Sequence, residues 1–279
     1  MAKITSPVAD IDLPTTGEQY YSLIKEAIIS GDLARVKDGL YQWQSDPSIP
    51  VPTPDQLNYL IPQAAKGDGQ PEILEFLLSL GGKIGTHSIG VATSPDVFKV
   101  FMAHGWEVDD ALLRSHVQHP QLIALFLNHG ANPNSSGPRG FGPMDIAALH
   151  APLETVKLLV DHGAAIGPSS AALHAAAQGK TSDRIAVMAF LVERGADVNG
   201  LAMDYPAPSE ALRSGRKGTP LHTATKWAYE EAKTWLLEHG ADPGAKNELG
   251  ETPEQWGRRF EKGGHEAGLR LRRDLLRKN

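Results

Sequence analysis

The sequence predicts an all-α fold built from stacked helix pairs, and three observations carry that prediction. Six apolar runs close on a similar glycine turn: "FLLSLGGKI", "VFMAHGWEV", "LFLNHGANP", "LLVDHGAAI", "FLVERGADV" and "WLLEHGADP". Self-similarity of this kind marks a repeated supersecondary unit. The helical part of the unit keeps its length, since Met144 to Gly163 and Leu221 to Gly240 both span 19 residues. The connecting part does not, because the turn glycines Gly81, Gly105, Gly130, Gly163, Gly195 and Gly240 are separated by 24, 25, 33, 32 and 45 residues. A single helix pair cannot bury its own apolar face, so such pairs must stack on one another.

Taken in order, residues 1–17 fit no helix pair and are expected to be a flexible N-terminal segment. "YYSLIKEAIISGDLARVKDGLYQW" then reads as a divergent pair that caps the array over 18–47, and "DPSIPVPTPD" is a Pro-rich connector that cannot be one regular helix. In the middle of the chain, Val156, Leu158 and Leu159 recur on one broad helical face and Gly163 supplies the C-terminal stop. From Gly195 to Leu221 the separation is 26 residues where Gly130 to Met144 takes 14, so 200–217, "GLAMDYPAPSEALRSGRK", is an inserted finger. Long loops of this kind carry function more often than short ones. Residues 250–278 close the array as a C-terminal cap. The reading gives about eight helix pairs in one elongated domain over 18–278.

Composition excludes several function classes. With 27 Lys and Arg against 33 Asp and Glu, the formal charge is −6, which argues against nucleic acid or an anionic membrane as the general partner. A local excess of basic residues from Arg258 to Asn279 is the exception, and reads first as a solvated cap. The absence of cysteine removes disulfides, thiolate catalysis and cysteine-ligated zinc. The first residues lack an apolar leader core and no later stretch reaches the roughly 20 apolar residues of a membrane span. These features are compatible with an intracellular location, cytoplasmic or nuclear.

At "TPLHTATKWAYEEAKTWLLEHGADP" the sequence resembles the ankyrin-repeat family, with its TPLH helix start, small-residue pair and closing LLxxGAD turn. The resemblance recurs with less detail at "GPMDIAALHAPLETVKLLVDHGAAI", "AALHAAAQGKTSDRIAVMAFLVERGADVN" and "ETPEQWGRRF". It implies an ankyrin-repeat helical solenoid with short β-hairpin-like connections. About eight residues of the usual hairpin are missing after Gly81 and again after Gly105, so the helices there should follow almost directly.

Most of the 11 histidines take structural duties in this reading. His104, His129, His162 and His239 each precede a turn glycine, where they pack or cap a helix C-terminus. His174 and His222 occupy the His of the TPLH pattern, which by resemblance bonds neighbouring backbone, and His87 is a degraded counterpart. His116 and His119 are three apart, but Pro120 marks a helix boundary and no carboxylate completes a metal site, so no metal and no cofactor are expected. No GxSxG elbow, GxxxxGK[ST] loop or GxGxxG turn is present. Asp145 with His150 is the best acid–base constellation available, although Asp145 stands where TPLH has His, which favours a local hydrogen-bond role.

The resemblance places recognition on a concave face formed by hairpin tips and first helices. Carried over position by position, this selects Arg139, Phe141, Leu149 and His150, then Gln178, then Arg216, Lys226 and Trp227, then Glu248, Leu249, Glu251, Arg259 and Phe260, with Tyr205 on the finger. Exposed aromatic and Arg side chains are the residue types that dominate protein interfaces. Trp227 and Phe260 are equally readable as core, and Trp235 and Trp256 read as core. The function expected is a non-enzymatic protein–protein interaction module that holds another protein or peptide in the groove. The alternative is a small-molecule-binding or catalytic solenoid with a pocket under the 200–217 finger.

Overall fold

Proline and hydroxyl caps set where the helices begin. The computed structural model describes residues 16–137, 141–166, 171–179, 181–203 and 217–258. Within these, Pro54, Pro71, Pro95, Pro120, Pro143 and Pro220 each stand in the first turn of a helix, where the missing N–H would have had no intrahelical partner. Thr16, Thr53 and Thr219 cap their helices by accepting from the N–H of Gln19, Gln56 and His222. The chain is helix-dominated. The expected N-terminal segment up to residue 15, and the expected C-terminal cap from residue 259 onward, lie outside the described residues.

The chain divides into two compact units, one ending at Glu107 and the other beginning at Val108. In the first, three helix pairs follow in order: α1 (Gly17–Ile29) with α2 (Leu33–Ser45), α3 (Pro54–Ala65) with α4 (Pro71–Ser79), and α5 (Thr86–Val91) with α6 (Pro95–Ala103). Thr16 and Gly17, read from the sequence as part of the leading segment, are the cap and first residue of α1. First helices pack on first helices and second on second: α3 touches α1 and α5, while α4 touches α2 and α6. Tyr20 stacks on Trp43 with ring centroids 6.0 Å apart, and the Trp43 indole donates to the Pro50 carbonyl at 2.9 Å, which ties the Pro-rich connector to α2. An isolated bridge between Gly67 and Ala92 joins the turns within the last two pairs.

The second unit repeats the scheme with α7 (Ala111–Ser115) and α8 (Pro120–Asn128), α9 (Pro143–His150) and α10 (Leu153–Asp161), α11 (Ala172–Ala177) and α12 (Arg184–Glu193), and α13 (Pro220–Lys226) and α14 (Glu230–Glu238). Residues 253–258 are helical as well. The packing runs α7 to α9 to α11 to α13 in one layer and α8 to α10 to α12 to α14 in the other. The Cβ that any other residue would place at Gly257 lies 2.7 Å from Thr225 Cγ2, so glycine is what lets 253–258 approach α13.

The glycine turns have one geometry in both units. Gly81, Gly105, Gly130, Gly163, Gly195 and Gly240 all have φ between +81° and +100°, the left-handed region where a side chain is strained. Each closes a Schellman motif: Gly163 N–H donates to Val160 and Ala164 N–H to Leu159, both at 2.9 Å, and the same pattern recurs at Gly195 and Ala196. Ala131, Ala164, Ala196 and Ala241 follow their glycines into the interior and are all buried. This explains the recurrent Gly-Ala pair in physical terms.

The connections differ more than the turns. α5 opens at Thr86 and α7 at Ala111, soon after Gly81 and Gly105, whereas a long connection separates Gly130 from Pro143. Apart from the Gly67–Ala92 bridge, strand pairing among the described residues is confined to β1 (Ala202–Met203) against β2 (Lys217–Gly218), antiparallel, with Ala202 opposite Gly218. The other described connections are turns without strands, so hairpin-like pairing is not a general feature of the described loops. The inserted finger lies outside the described residues apart from its two ends.

Candidate functional site

Each TPLH-type histidine links its own helix start to the next pair. His222 is 1% exposed, and its Nδ1 accepts from the Thr219 N–H at 3.1 Å and from the Thr219 hydroxyl at 2.8 Å. Nδ1 is therefore unprotonated and Nε2 carries the hydrogen, which is donated to the Glu251 carbonyl at 3.0 Å. His174 Nε2 donates in the same way to the Gly218 carbonyl at 2.8 Å, at the start of the following pair. Asp145 replaces the histidine in α9 and keeps only the backward half, its Oδ2 accepting from the Gly142 N–H at 2.9 Å. Burial raises the Asp145 carboxyl above its ordinary range, with the Gly142 hydrogen bond pulling the other way.

Side-chain amides brace the turns across neighbouring pairs. Asn134 accepts from the Ala165 N–H and donates to the Gly163 carbonyl, both at 2.8 Å. Asn199 makes the equivalent pair with the Asp242 N–H at 2.8 Å and the Gly240 carbonyl at 2.9 Å. His129, His162 and His239 donate through Nδ1 to the carbonyls four residues back, at 2.8, 2.9 and 2.7 Å, and so cap the ends of α8, α10 and α14. His104 instead sits 3.0 Å from a Glu75 carboxylate oxygen. The buried His116 bonds the Ser115 hydroxyl and the Leu112 carbonyl, with its ring 6.4 Å from that of His119. Among the described residues no group of three or more His, Cys, Asp or Glu could hold a metal ion, and no helix is long and apolar enough to cross a membrane.

The residues selected from the sequence are distributed unevenly. His150 is exposed at the end of α9 and Phe141 is half-buried just before it. Leu149 is 7% exposed and belongs to the core, because it faces the neighbouring helices, so it offers a partner little area. Gln178 is 8% exposed at the C-cap of α11. Glu248 and Leu249 are exposed, and Glu251 is half-buried with its carbonyl engaged by His222. Arg139, Tyr205, Arg216, Arg259 and Phe260 lie outside the described residues.

Lys226 and Trp227 end α13, and both are half-buried. The Lys226 ammonium lies 5.5 Å from the Trp227 ring centroid and 6.0 Å from that of Trp256, within cation–π reach of both indoles. Trp256 is 3% exposed and forms part of the core, whereas Trp235 is half-buried and stacks on His239 at 3.8 Å. Asp145 and His150, the acid–base candidates, are five residues apart on α9 and project from different sides of it.

Three residues of this region were not singled out from the sequence: Thr181, Arg184 and Tyr229. The Arg184 guanidinium lies 4.7 Å from the Tyr229 ring centroid, bridging α12 to the N-cap of α14. Between Trp227 and Tyr229 stands Ala228 with φ +55°, a left-handed conformation that is unusual for a residue with a side chain. The signal for Arg184 would have been its place at the first position of a second helix, one stacking step from an aromatic N-cap.

Residues 218–248 match the family model of the ankyrin repeat. That match covers α13, α14 and the turn after them, and the helical structure is consistent with an ankyrin-repeat protein. Ankyrin repeats typically bind other proteins, which makes a protein–protein interaction module the function class that the match suggests.

Proposed function

We propose that this chain is a non-enzymatic protein–protein interaction module, an ankyrin-repeat solenoid that holds a partner protein or peptide on its concave face. The observation that carries the reading is the Lys226 ammonium within 6.0 Å of both the Trp227 and Trp256 rings, at the end of the helix where the family match begins. Trp227 offers part of an aromatic surface beside a charge, with Trp256 behind it in the core, and α13 packs on α11, whose C-cap is Gln178. Phe141 and His150 extend the face toward α9. Arg139, Tyr205, Arg216, Arg259 and Phe260 belong to the same proposed face.

The test is affinity capture from native cell extract with the full chain, against a variant carrying Phe141→Ala, His150→Ala and Lys226→Ala. Circular dichroism and urea unfolding establish that both are folded. The wild type retains at least one protein that the variant loses. Identical sets of captured proteins from two folded baits would refute the proposed face.

A further inference from the structure

Buried polar atoms are almost always hydrogen-bonded, because a buried donor with no acceptor forfeits the bond it makes to water in the unfolded chain. Among the side-chain atoms of the second unit that break this rule are Gln178 Nε2, Thr181 Oγ1, Arg184 Nε and Trp227 Nε1, which are buried and have no hydrogen-bond partner among the described residues. They share a place in the fold. Gln178 is the C-cap of α11 and Trp227 the C-cap of α13, equivalent positions in two first helices that pack together. Thr181 and Arg184 lie where the chain passes from α11 into α12, and Arg184 reaches across to Tyr229 in the α13–α14 turn. Two adjacent pairs thus bring their orphan groups to one turn edge.

The chemistry of the four is one-sided. The amide of Gln178, the guanidinium of Arg184 and the indole of Trp227 are N–H donors, and the Thr181 hydroxyl can donate as well. One of the donors is a permanent cation, and the Lys226 ammonium is 5.5 Å from the Trp227 ring. None of the carboxylates closest in the chain takes these donors: Asp183 accepts from the Leu153 N–H at 3.0 Å and from the Ser182 hydroxyl at 3.2 Å, Glu230 is paired with Lys233 at 3.4 Å, and Glu231 is exposed in the first turn of α14. What the edge lacks is an acceptor, and the charge calls for an anionic one. Gln178 is more than nine-tenths buried, whereas Thr181, Arg184 and Trp227 are half-buried. The donor atoms are therefore buried on residues that, Gln178 apart, keep part of their surface exposed, and a rotamer change of Trp227 or Arg184 would be needed to uncover them.

We propose that this turn edge is a docking site for an acidic side chain of the partner protein, whose carboxylate takes up the Gln178, Arg184 and Trp227 donors. The site rests on the interaction-module reading and gives that partner a chemical character: an Asp or Glu presented at the α11–α12 and α13–α14 turns. A carboxylate is the acceptor-only group that matches a fork of N–H donors with a cation among them.

The experiment uses the full chain labelled with nitrogen-15 in the tryptophan indoles, whose five tryptophans give five Nε1–H resonances. Trp227 is assigned by its substitution with Phe. The probes are a short peptide rich in Asp and Glu with blocked ends, the same peptide with Asn and Gln in their place, and inorganic phosphate. The acidic peptide moves the Trp227 indole resonance downfield to saturation, the neutral peptide does not, and Gln178→Met and Arg184→Met each weaken the acidic peptide about tenfold, the loss expected for one hydrogen bond to a charge. Gln178→Met stays at least as stable as the wild type, since it removes an orphan amide. Equal shifts from the two peptides, or unchanged binding by both variants, would overturn the site. Saturation by phosphate at the same concentration as the peptide would overturn the carboxylate assignment in favour of a simple anion site. No shift at all would mean that water meets these donors, and the site would fall on that result too. If the acidic peptide fails while capture from extract still distinguishes wild type from the Phe141, His150, Lys226 variant, this site falls and the interaction reading stands.

Discussion

Removing His222 should unfasten the last described helix, residues 253–258, from α13. His222→Ala deletes the Nε2 donor to the Glu251 carbonyl and the Nδ1 acceptor of the Thr219 N–H and hydroxyl. Each hydrogen bond contributes about 1 kcal/mol net, and a Thr219 N–H left buried without an acceptor costs about 1–3 kcal/mol more. Thr219 and His222 are both 1% exposed, so water does not readily compensate either loss. The expected destabilisation is therefore about 3 kcal/mol. In a stacked array each pair touches only its neighbours, so the loss is concentrated where α13 meets residues 253–258. Urea unfolding followed by tryptophan fluorescence measures the total, and amide hydrogen exchange of 253–258 locates it. His239→Ala is the control: its ring caps the Trp235 carbonyl at an exposed helix end, where water can replace it, and the loss stays below about 1 kcal/mol. A loss under about 1 kcal/mol for His222→Ala, or one equal to that of His239→Ala, would refute the role of the histidine as the link between pairs.

Two further outcomes follow from single groups. Burial raises the Asp145 carboxyl above its ordinary 3.8, so the folded state binds the proton more readily than the unfolded one and stability falls as pH rises from 3.8 through the raised value. Asp145→Asn keeps an oxygen for the Gly142 N–H and loses the charge; urea midpoints should place it above the wild type at pH 7 and level with it below that window, and a gap that does not widen with pH would contradict this. Ala228 is exposed at φ +55°, so Ala228→Gly relieves strain without changing packing and should raise stability by about 0.5–1 kcal/mol, seen as a higher thermal midpoint. A lower midpoint would mean that the φ is not strained in solution.

What could be read from the chain, and what could not, divides along a physical line. The glycine turns, the Pro-initiated helices and the TPLH histidines are local or depend on one fixed register, so residue type and spacing carry them; the helices α13 and α14 fall where "TPLHTATKWAYEEAKTWLLEHGADP" places them. The side chains at the turn edge answer to something else. Arg184 and Arg194 open and follow the same helix, and both guanidinium groups lie over an aromatic ring, at 4.7 Å from Tyr229 and 4.6 Å from Phe190. Arg194 meets its ring within its own helix, at a spacing of four, and stays exposed. Arg184 meets a ring from the next pair and has its Nε buried without a partner among the described residues. Residue type does not distinguish the two; the difference is that Tyr229, from the following pair that packs on α12 through α14, stands against Arg184. The same reasoning separates Leu149 from His150, adjacent on α9, of which only the second reaches the surface. The acceptor-hungry edge is thus a property of the step between repeats and not of either repeat, so changes on α14 that shift this step should alter Arg184 as strongly as changes to its own helix.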